Sequence, residues 1–492
     1  MNYSLILKLL GNMFKIESAF MILPLAVSFI FGESLKSKLA FIFPILLLAA
    51  LGFTLSFIKP KISKITVKDA FAATVLTWVS FSIFGALPYF LSGSSKNFID
   101  SLFESTAGFT TTGTTMIGDV ESMVRSVVFW KGLSVWIGGV GVLMFMMAVL
   151  PAVNASSINL LRAEMSVITG VSREKILPKI KEVAKIIYLI YISITVLLTI
   201  LLLLTGMPLY DSLIHAFATA GSAGFSNMND GVRAYDNTAA EIIIAVFMFL
   251  VGISFFIYFY MAKRNFKQVL KDEELRVYCG IAFVSLIIMT INIYGEVNSF
   301  GEAVQFSAFQ ISSFISTTGY SPLLASPQIP VLSQFLLLCM MFVGCCSGST
   351  GGGIKIVRVI LLVKTARVEL RKMLHPNSVK AITINGKKVD DEIITKTAVF
   401  LFIYFAVFFV ATLIVSIEGK DIMLTVSSVI AMLSNVGVGI SSDGLHYDYS
   451  SFSWLSKTAF MICMFLGRLE FFPVLILMKP SVWLEKKSVA AR

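Results

Sequence analysis

The sequence predicts an all-α polytopic membrane protein made of four tandem helix–loop–helix repeats, preceded by two extra transmembrane helices. Three observations lead to that prediction. Of the 492 residues 57% are hydrophobic and only 14% charged, and the mean hydropathy of +0.85 lies well outside the soluble range. Apolar runs long enough to cross about 30 Å of hydrocarbon recur along the whole chain. Between them, four times, a stretch fit for a half-length helix runs into a glycine set among small, hydroxyl or aromatic residues: Thr110 to Thr115, Gly221 to Ser226, Ser316 to Ser321 and Asn435 to Ile440.

In chain order, the apolar runs are Ser18 to Phe31, Leu39 to Ile58, Ala70 to Leu91, Val127 to Val153, Ile186 to Leu204, Glu241 to Ala262, Tyr278 to Ile293, Ile329 to Phe342 with its continuation, Thr395 to Ile417 and Ser453 to Met478. That makes about ten crossings. The first run lacks an early small-residue cleavage site and is followed by further spans, so no cleavable signal is expected.

The segments between paired runs are too short to cross twice. Each begins beside an acid (Asp100, Asp211, Glu302, Asp421) and reaches its glycine (Gly113, Gly224, Gly319, Gly437) 13 to 17 residues later. At about 1.5 Å per residue such a helix descends only partway through the bilayer before the chain returns, which predicts re-entrant loops. The acid suits the positive N-terminal end of the half-helix, and its negative C-terminal end then faces the glycine segment, where it favours a cation. Non-helical backbone at that depth requires burial in protein or contact with water, and a ring of four loops about one axis provides both.

The glycines recur at intervals of about a hundred residues, suited to a helix–pore-loop–helix unit. The third segment contains TTGY, close to the TVGYG loop whose stacked carbonyls replace a potassium ion's hydration shell. The repeats are therefore expected to surround a pseudo-fourfold ion pathway. The resulting division is 1–66 (N-terminal helix pair), 67–160, 161–265, 266–390 and 391–492 (pore repeats one to four).

Basic residues set the expected orientation. Lys59, Lys61, Lys64 and Lys68, the stretches Arg162 to Lys185, Lys263 to Arg276 and Lys355 to Lys388, and the tail residues Lys479, Lys486, Lys487 and Arg492 would all be cytoplasmic by the positive-inside rule, as would both termini. The charge of +11 then reflects topology rather than nucleic-acid binding. The opposite loops carry Asp119, Glu121, Asp230, Asp236, Glu296, Glu418, Asp443 and Asp448 against Lys96, Arg125, Arg233 and Lys420. An acidic vestibule of this kind would concentrate cations.

Two further features fall inside apolar runs. VGCCSGSTGGGIKIVR, Val343 to Arg358, carries Gly344, Gly348, Ser349, Thr350, Gly351, Gly352 and Gly353. Glycine costs about 1 kcal/mol per helical position relative to alanine, so the helix should break there into a flexible loop. A phosphate-binding loop would need Lys directly after the last Gly, whereas Ile354 intervenes. Arg468, in GRLE of the last run, is an intramembrane cation and by default marks function, or else pairs with Glu470 or another acid.

The four loops, SGSTGGGIK and GRLE together resemble the TrkH and KtrB superfamily of potassium transporters, which are related to the plant HKT proteins; the pair of runs before Lys59 is similar to the TrkH branch. The resemblance covers nearly the whole chain. It implies a homodimer in which each protomer carries its own pathway, with potassium in a filter of backbone carbonyls from Thr111, Thr112, Gly113, Ser222, Ala223, Gly224, Thr317, Thr318, Gly319, Asn435, Val436 and Gly437. A glycine in every loop goes with potassium preference, and serine in the first with sodium permeation. The Val343–Gly353 segment and Arg468 would form an intramembrane gate, opening as loop and arginine move together. A cytosolic TrkA-type (RCK) ring would regulate it and carry NAD or ATP, with the basic loops as docking surfaces. The chain itself has no GxGxxG after a strand and no covalently bound cofactor is expected. WIGGVGV, Trp136 to Val142, resembles the family's packing segment and reads as close helix packing.

Enzyme chemistry finds little footing. His215, His375 and His446 have no ligand spacing, and the five cysteines suggest neither disulfides nor zinc. Two alternatives remain: a membrane enzyme clamping phosphate with the glycine loop and Arg468, for which Glu470 alone leaves the catalytic set incomplete, and a sodium- or proton-coupled symporter of the same fold with Glu470 as the coupling group.

Overall fold

The structure is a computed structural model that describes residues 1–59, 66–152, 177–320, 329–376, 381–441, 444–446 and 448–479, with the side chains of 67, 142–152 and 177–184 excepted. Lys61, Lys64, Ser321, Asp443, Lys486, Lys487, Arg492 and the Arg162–176 part of the second basic stretch lie outside the described residues.

Helices account for nearly all regular structure; the strands form two short antiparallel hairpins. The N-terminal pair is Tyr3–Ile30 and Leu35–Ser56. The first of these starts well before the Ser18 expected from hydropathy, because Lys8, Lys15 and Glu17 interrupt the apolar run without interrupting the helix. Gly11 and Gly52 let the two backbones meet: a Cβ on Gly11 would sit 2.7 Å from Leu55 Cβ, and one on Gly52 2.7 Å from Lys15 Cγ. The pair is tied to the first repeat at both ends. Asn2 N donates to Asp69 Oδ1 at 2.8 Å, and Glu33 accepts from Ser126 N and Oγ.

The four half-helices are Phe98–Phe109, Leu209–Ala220, Phe300–Ile315 and Ile422–Leu433. At 12 to 16 residues they reach about 18–24 Å, short of a full crossing. Their starts follow from capping chemistry: Asn97, Ser299 and Asp421 accept the backbone N–H of Asp100, Glu302 and Leu424, while Pro208 precedes the second. Asp100, Asp211 and Glu302 occupy first turns, as the dipole argument requires.

Each half-helix packs against the membrane helix that follows the loop of the preceding repeat. The second lies against Arg125–Ala152, the third against Thr238–Val251, the fourth against Val331–Val343, and the first against Trp454–Leu469. The last of these contacts closes a ring.

Among the described residues six helices are long and apolar enough to cross a membrane, or eight if two bent pairs are counted as single spans. Those bent pairs correct the expectation of continuous spans. Thr238–Val251 and Phe255–Ala262 meet at 91°, and Trp454–Leu469 and Phe471–Met478 at 117°. With the break after Val343, the post-loop helices of repeats two, three and four are all interrupted.

Candidate ion pathway and intramembrane loop

All four half-helices end in the same way. The cap residue is followed by one in the left-handed region (Thr111, φ 54°; Ser222, φ 56°; Thr317, φ 57°; Asn435, φ 56°). The N–H of that residue returns to the carbonyl of Gly108, Thr219, Phe314 or Met432, and the next N–H to that of Ala107, Ala218, Ser313 or Ala431, at 2.7 to 2.9 Å for the second bond. This Schellman pattern satisfies the last helix carbonyls and turns the chain abruptly toward its glycine. None of the four left-handed residues is glycine, so about 1 kcal/mol of strain at each is held in place by its surroundings.

The glycines close a second ring. A Cβ on Gly113 would lie 2.8 Å from Gly224 N; one on Gly224 would strike Gly319, one on Gly319 the Val436 carbonyl, and one on Gly437 the Thr112 carbonyl. Repeat one thus abuts two, two abuts three, three abuts four, and four abuts one. Glycine is needed here for this close approach and, at Gly113, Gly319 and Gly437, for a φ of 76 to 83°. Asn435 Nδ2 reinforces the last junction by donating to Thr112 Oγ1 at 3.0 Å and to Met464 O at 3.0 Å. A cavity of about 90 Å³ lies just beyond the glycines, lined by Gly113, Thr114, Gly224, Phe225, Ser226 and Tyr320.

Behind the ring, buried polar residues occupy equivalent places on the half-helices: Glu104, His215, Gln310 and Ser428. Glu104 accepts from Thr115 Oγ1 at 2.7 Å and from Met116 N, and pairs with fully buried Lys131, which also donates to Thr114 O at 3.0 Å. His215 Nδ1 lies 3.1 Å from Tyr320 Oη, which in turn donates to Phe225 O at 2.7 Å. His215 thus packs between the second and third loops. Sequence reasoning missed Glu104 and Lys131, although a lysine inside the Val127–Val153 run was a visible signal.

The chain from Gly344 to Lys355 is a loop buried at every residue but Gly353, between helices Val331–Val343 and Ile356–Leu374. It fills the break in repeat two: Cys346 N donates to Gly252 O at 3.0 Å, and Phe255 N to Gly348 O at 2.9 Å. Backbone groups freed by one interrupted helix are thus satisfied by another, which is what permits both interruptions in an apolar setting. The loop also touches the segments around the ring. Thr350 Oγ1 is 2.6 Å from Ser222 Oγ, and Gly352 N donates to Thr317 Oγ1 at 2.8 Å. A Cβ on Gly352 would collide with the Ser434 carbonyl.

Arg468 is buried and does not pair with Glu470. Its guanidinium donates to Thr350 O at 2.5 Å and to Gly138 O at 3.0 Å, pinning the loop to the helix that follows the first pore loop. Glu470 instead binds Arg358 in two bonds, at 2.9 and 3.0 Å, and Lys355 at 3.5 Å. Its carboxylate is thus engaged by two cations of the loop and the helix that follows it. Gly138, Gly139 and Gly141 lie against Phe109, Tyr191 and Trp78, in accord with the packing reading of WIGGVGV.

On the opposite end, Asn229 donates to Asp119 Oδ1 at 2.8 Å and to Glu121. That amide bond holds the Asp119 carboxyl below the usual carboxylate range.

A family model described as TrkH, a cation transport protein, matches residues 37–487. The Trk system potassium uptake protein TrkH of Escherichia coli strain K12 is 31% identical over 99% of this chain and 100% of its own length. That of Halomonas elongata is 30% identical over 98% of this chain and 100% of its own. The crystal structure of the potassium transporter TrkH from Vibrio parahaemolyticus superposes with a TM-score of 0.87 at 27% identity, covering 98% of this chain and 100% of that one.

Proposed function

The chain belongs to the TrkH family of cation transport proteins, and from that premise we propose that it takes up potassium through the ring of pore loops. It is a multi-pass membrane transporter rather than an enzyme. The observation that carries the reading is the closure of the four glycine segments on one another in the order one, two, three, four, one. One chain supplies every wall of a pathway.

In this reading the ligands of potassium are backbone carbonyls of Thr111 to Gly113, Ser222 to Gly224, Thr317 to Gly319 and Asn435 to Gly437. The Schellman turns support it, because they present four equivalent backbone segments at the negative ends of four half-helices. Val436 and Ala223 bring no hydroxyl to their loops, which favours looser selectivity than a filter of four identical strands.

Gly344 to Gly353 and Arg468 form the gate. The loop is supported in that role by its contacts with the segments of repeats two, three and four, and Arg468 supplies a positive barrier at the same place. The division into repeats at 67–160, 161–265, 266–390 and 391–492 follows the same logic. The functional unit is a homodimer with cytoplasmic termini, regulated by a cytosolic TrkA-type subunit that carries the nucleotide.

Uptake of rubidium-86 into potassium-loaded liposomes containing the purified protein, with and without an added TrkA-type subunit, tests the proposal. Uptake competed by potassium and barely by sodium is expected. Absence of uptake in folded, dimeric protein under both conditions would overturn the passive pore in favour of coupled transport.

A further inference from the structure

Three consecutive acids, Asp272, Glu273 and Glu274, open the helix Glu273–Ile293, and Glu274 points inward. It is 5% exposed, and its Oε1 accepts two backbone N–H groups: Ser347 at 2.7 Å and Val357 at 3.1 Å. Ser347 lies within the intramembrane loop, just before its Gly348–Gly353 stretch, and Val357 lies in the first turn of the helix that follows it. A single carboxylate oxygen therefore holds both flanks of the loop, at the positive end of a helix.

The neighbouring acids hold something else. Glu273 N donates to Asn385 Oδ1 at 2.7 Å, Asn385 N returns to Glu273 Oε1 at 3.2 Å, and Asn385 Nδ2 donates to Asp272 Oδ2 at 2.9 Å. Asn385 and Gly386, both at positive φ, turn the small hairpin of Thr383–Ile384 and Lys387–Lys388. Lys364, on the helix after the loop, pairs with Glu273 and donates to Thr383 O at 2.7 Å. The hairpin, the acids and the loop are thus one hydrogen-bonded chain.

We propose that Glu274 is the positioning residue that keeps the intramembrane loop in its blocking place, and that Glu273 and Asp272 tie that latch to the Asn385 hairpin, through which a force applied at the hairpin reaches the loop. The inference rests on the reading of the Gly344–Gly353 loop as the gate. The middle of the loop is held against the pathway by Arg468 and Ser222, while its flanks are held by Glu274. Releasing the flanks lets the loop leave as a unit.

The test is rubidium-86 uptake into potassium-loaded liposomes by the full-length protein and its Glu274→Ala, Glu274→Gln and Arg468→Ala variants, each first checked for monodisperse elution. Glu274→Ala is expected to raise the maximal rate about tenfold, the scale set by losing two buried hydrogen bonds. The half-saturating rubidium concentration and the competition by sodium should not move, because Glu274 touches none of the filter segments. Glu274→Gln keeps an oxygen acceptor in place and should fall between wild type and Ala; it also carries the test if Ala does not fold. Wild-type or slower rates in both Glu274 variants, with Arg468→Ala fast, would overturn the latch and leave the gate standing. Wild-type rates in all three would overturn the gate reading and the latch with it.

Discussion

The glycine ring and the loop beneath it are built on opposite rules. In the ring, four segments share one turn geometry and each glycine is wedged against the next segment's backbone, with the Asn435–Thr112 hydrogen bond added at the last junction. Among the described residues the loop exists in one repeat only, and named side chains hold it: Arg468 and Ser222 at its middle, Glu274 at its flanks. A ring of mutually blocking backbones has no soft direction, whereas a loop held by a few side chains can be released by changing one of them. On the proposed reading, selection and gating can therefore sit in adjacent layers without disturbing each other.

The comparison is broken most severely by adding a methyl group to the ring. Gly319→Ala would drive a Cβ into the Val436 carbonyl at a residue with φ of 80°, and we expect loss of uptake with a destabilisation of about 3 kcal/mol or more, read from rubidium flux and thermal unfolding in detergent. Nearly as large an effect is expected at the brace behind the first loop. Lys131→Met leaves Glu104 as a buried charge without its ammonium, a change that costs about 3–5 kcal/mol; the unfolding temperature should fall, and Glu104→Gln in the same chain should restore part of it.

The loop should respond in the other direction. Arg468→Ala removes the cation that binds Thr350 O and Gly138 O, and a several-fold rise in rubidium flux at unchanged selectivity is the expected outcome; an unchanged or lower flux in folded protein would give Arg468 a structural role instead. The smallest effect on folding is expected for Gly113→Ser. Its Cβ would meet Gly224 N at 2.8 Å, the loosest of the four junctions, so the protein should fold and the ring widen locally. Sodium should then compete with rubidium, and unchanged discrimination would count against Gly113 as part of the filter.

The repeat plan was legible because it is written four times: an acid, a half-helix and a glycine, each between apolar runs. The glycine loop was legible because no helix tolerates so many glycines. The bends at Gly252–Ser254 and Glu470 were not, since an apolar helix lies on each side of each break and periodicity cannot register a change of direction. Glu274 was hidden for another reason. Hydropathy put the start of its membrane run at Tyr278 and left the acid in a basic loop, whereas the helix begins at Glu273 and buries it. The hairpin did carry a signal, Asn385–Gly386 between Ile384 and Lys387, short enough to be lost among the surrounding lysines.

The junction between the last repeat and the first has a consequence for how the molecule comes to exist. Asp100, at the start of the first half-helix, is bound at 2.7 Å by Lys457, 357 residues further along the chain. At about 5–20 residues per second, a ribosome takes roughly 20–70 s to deliver that partner. Throughout that interval the nascent protein lacks at least one wall of the ring. Its last apolar helices are therefore the closing step of biogenesis, and a chain stopped short of Trp454 is left as an open trough.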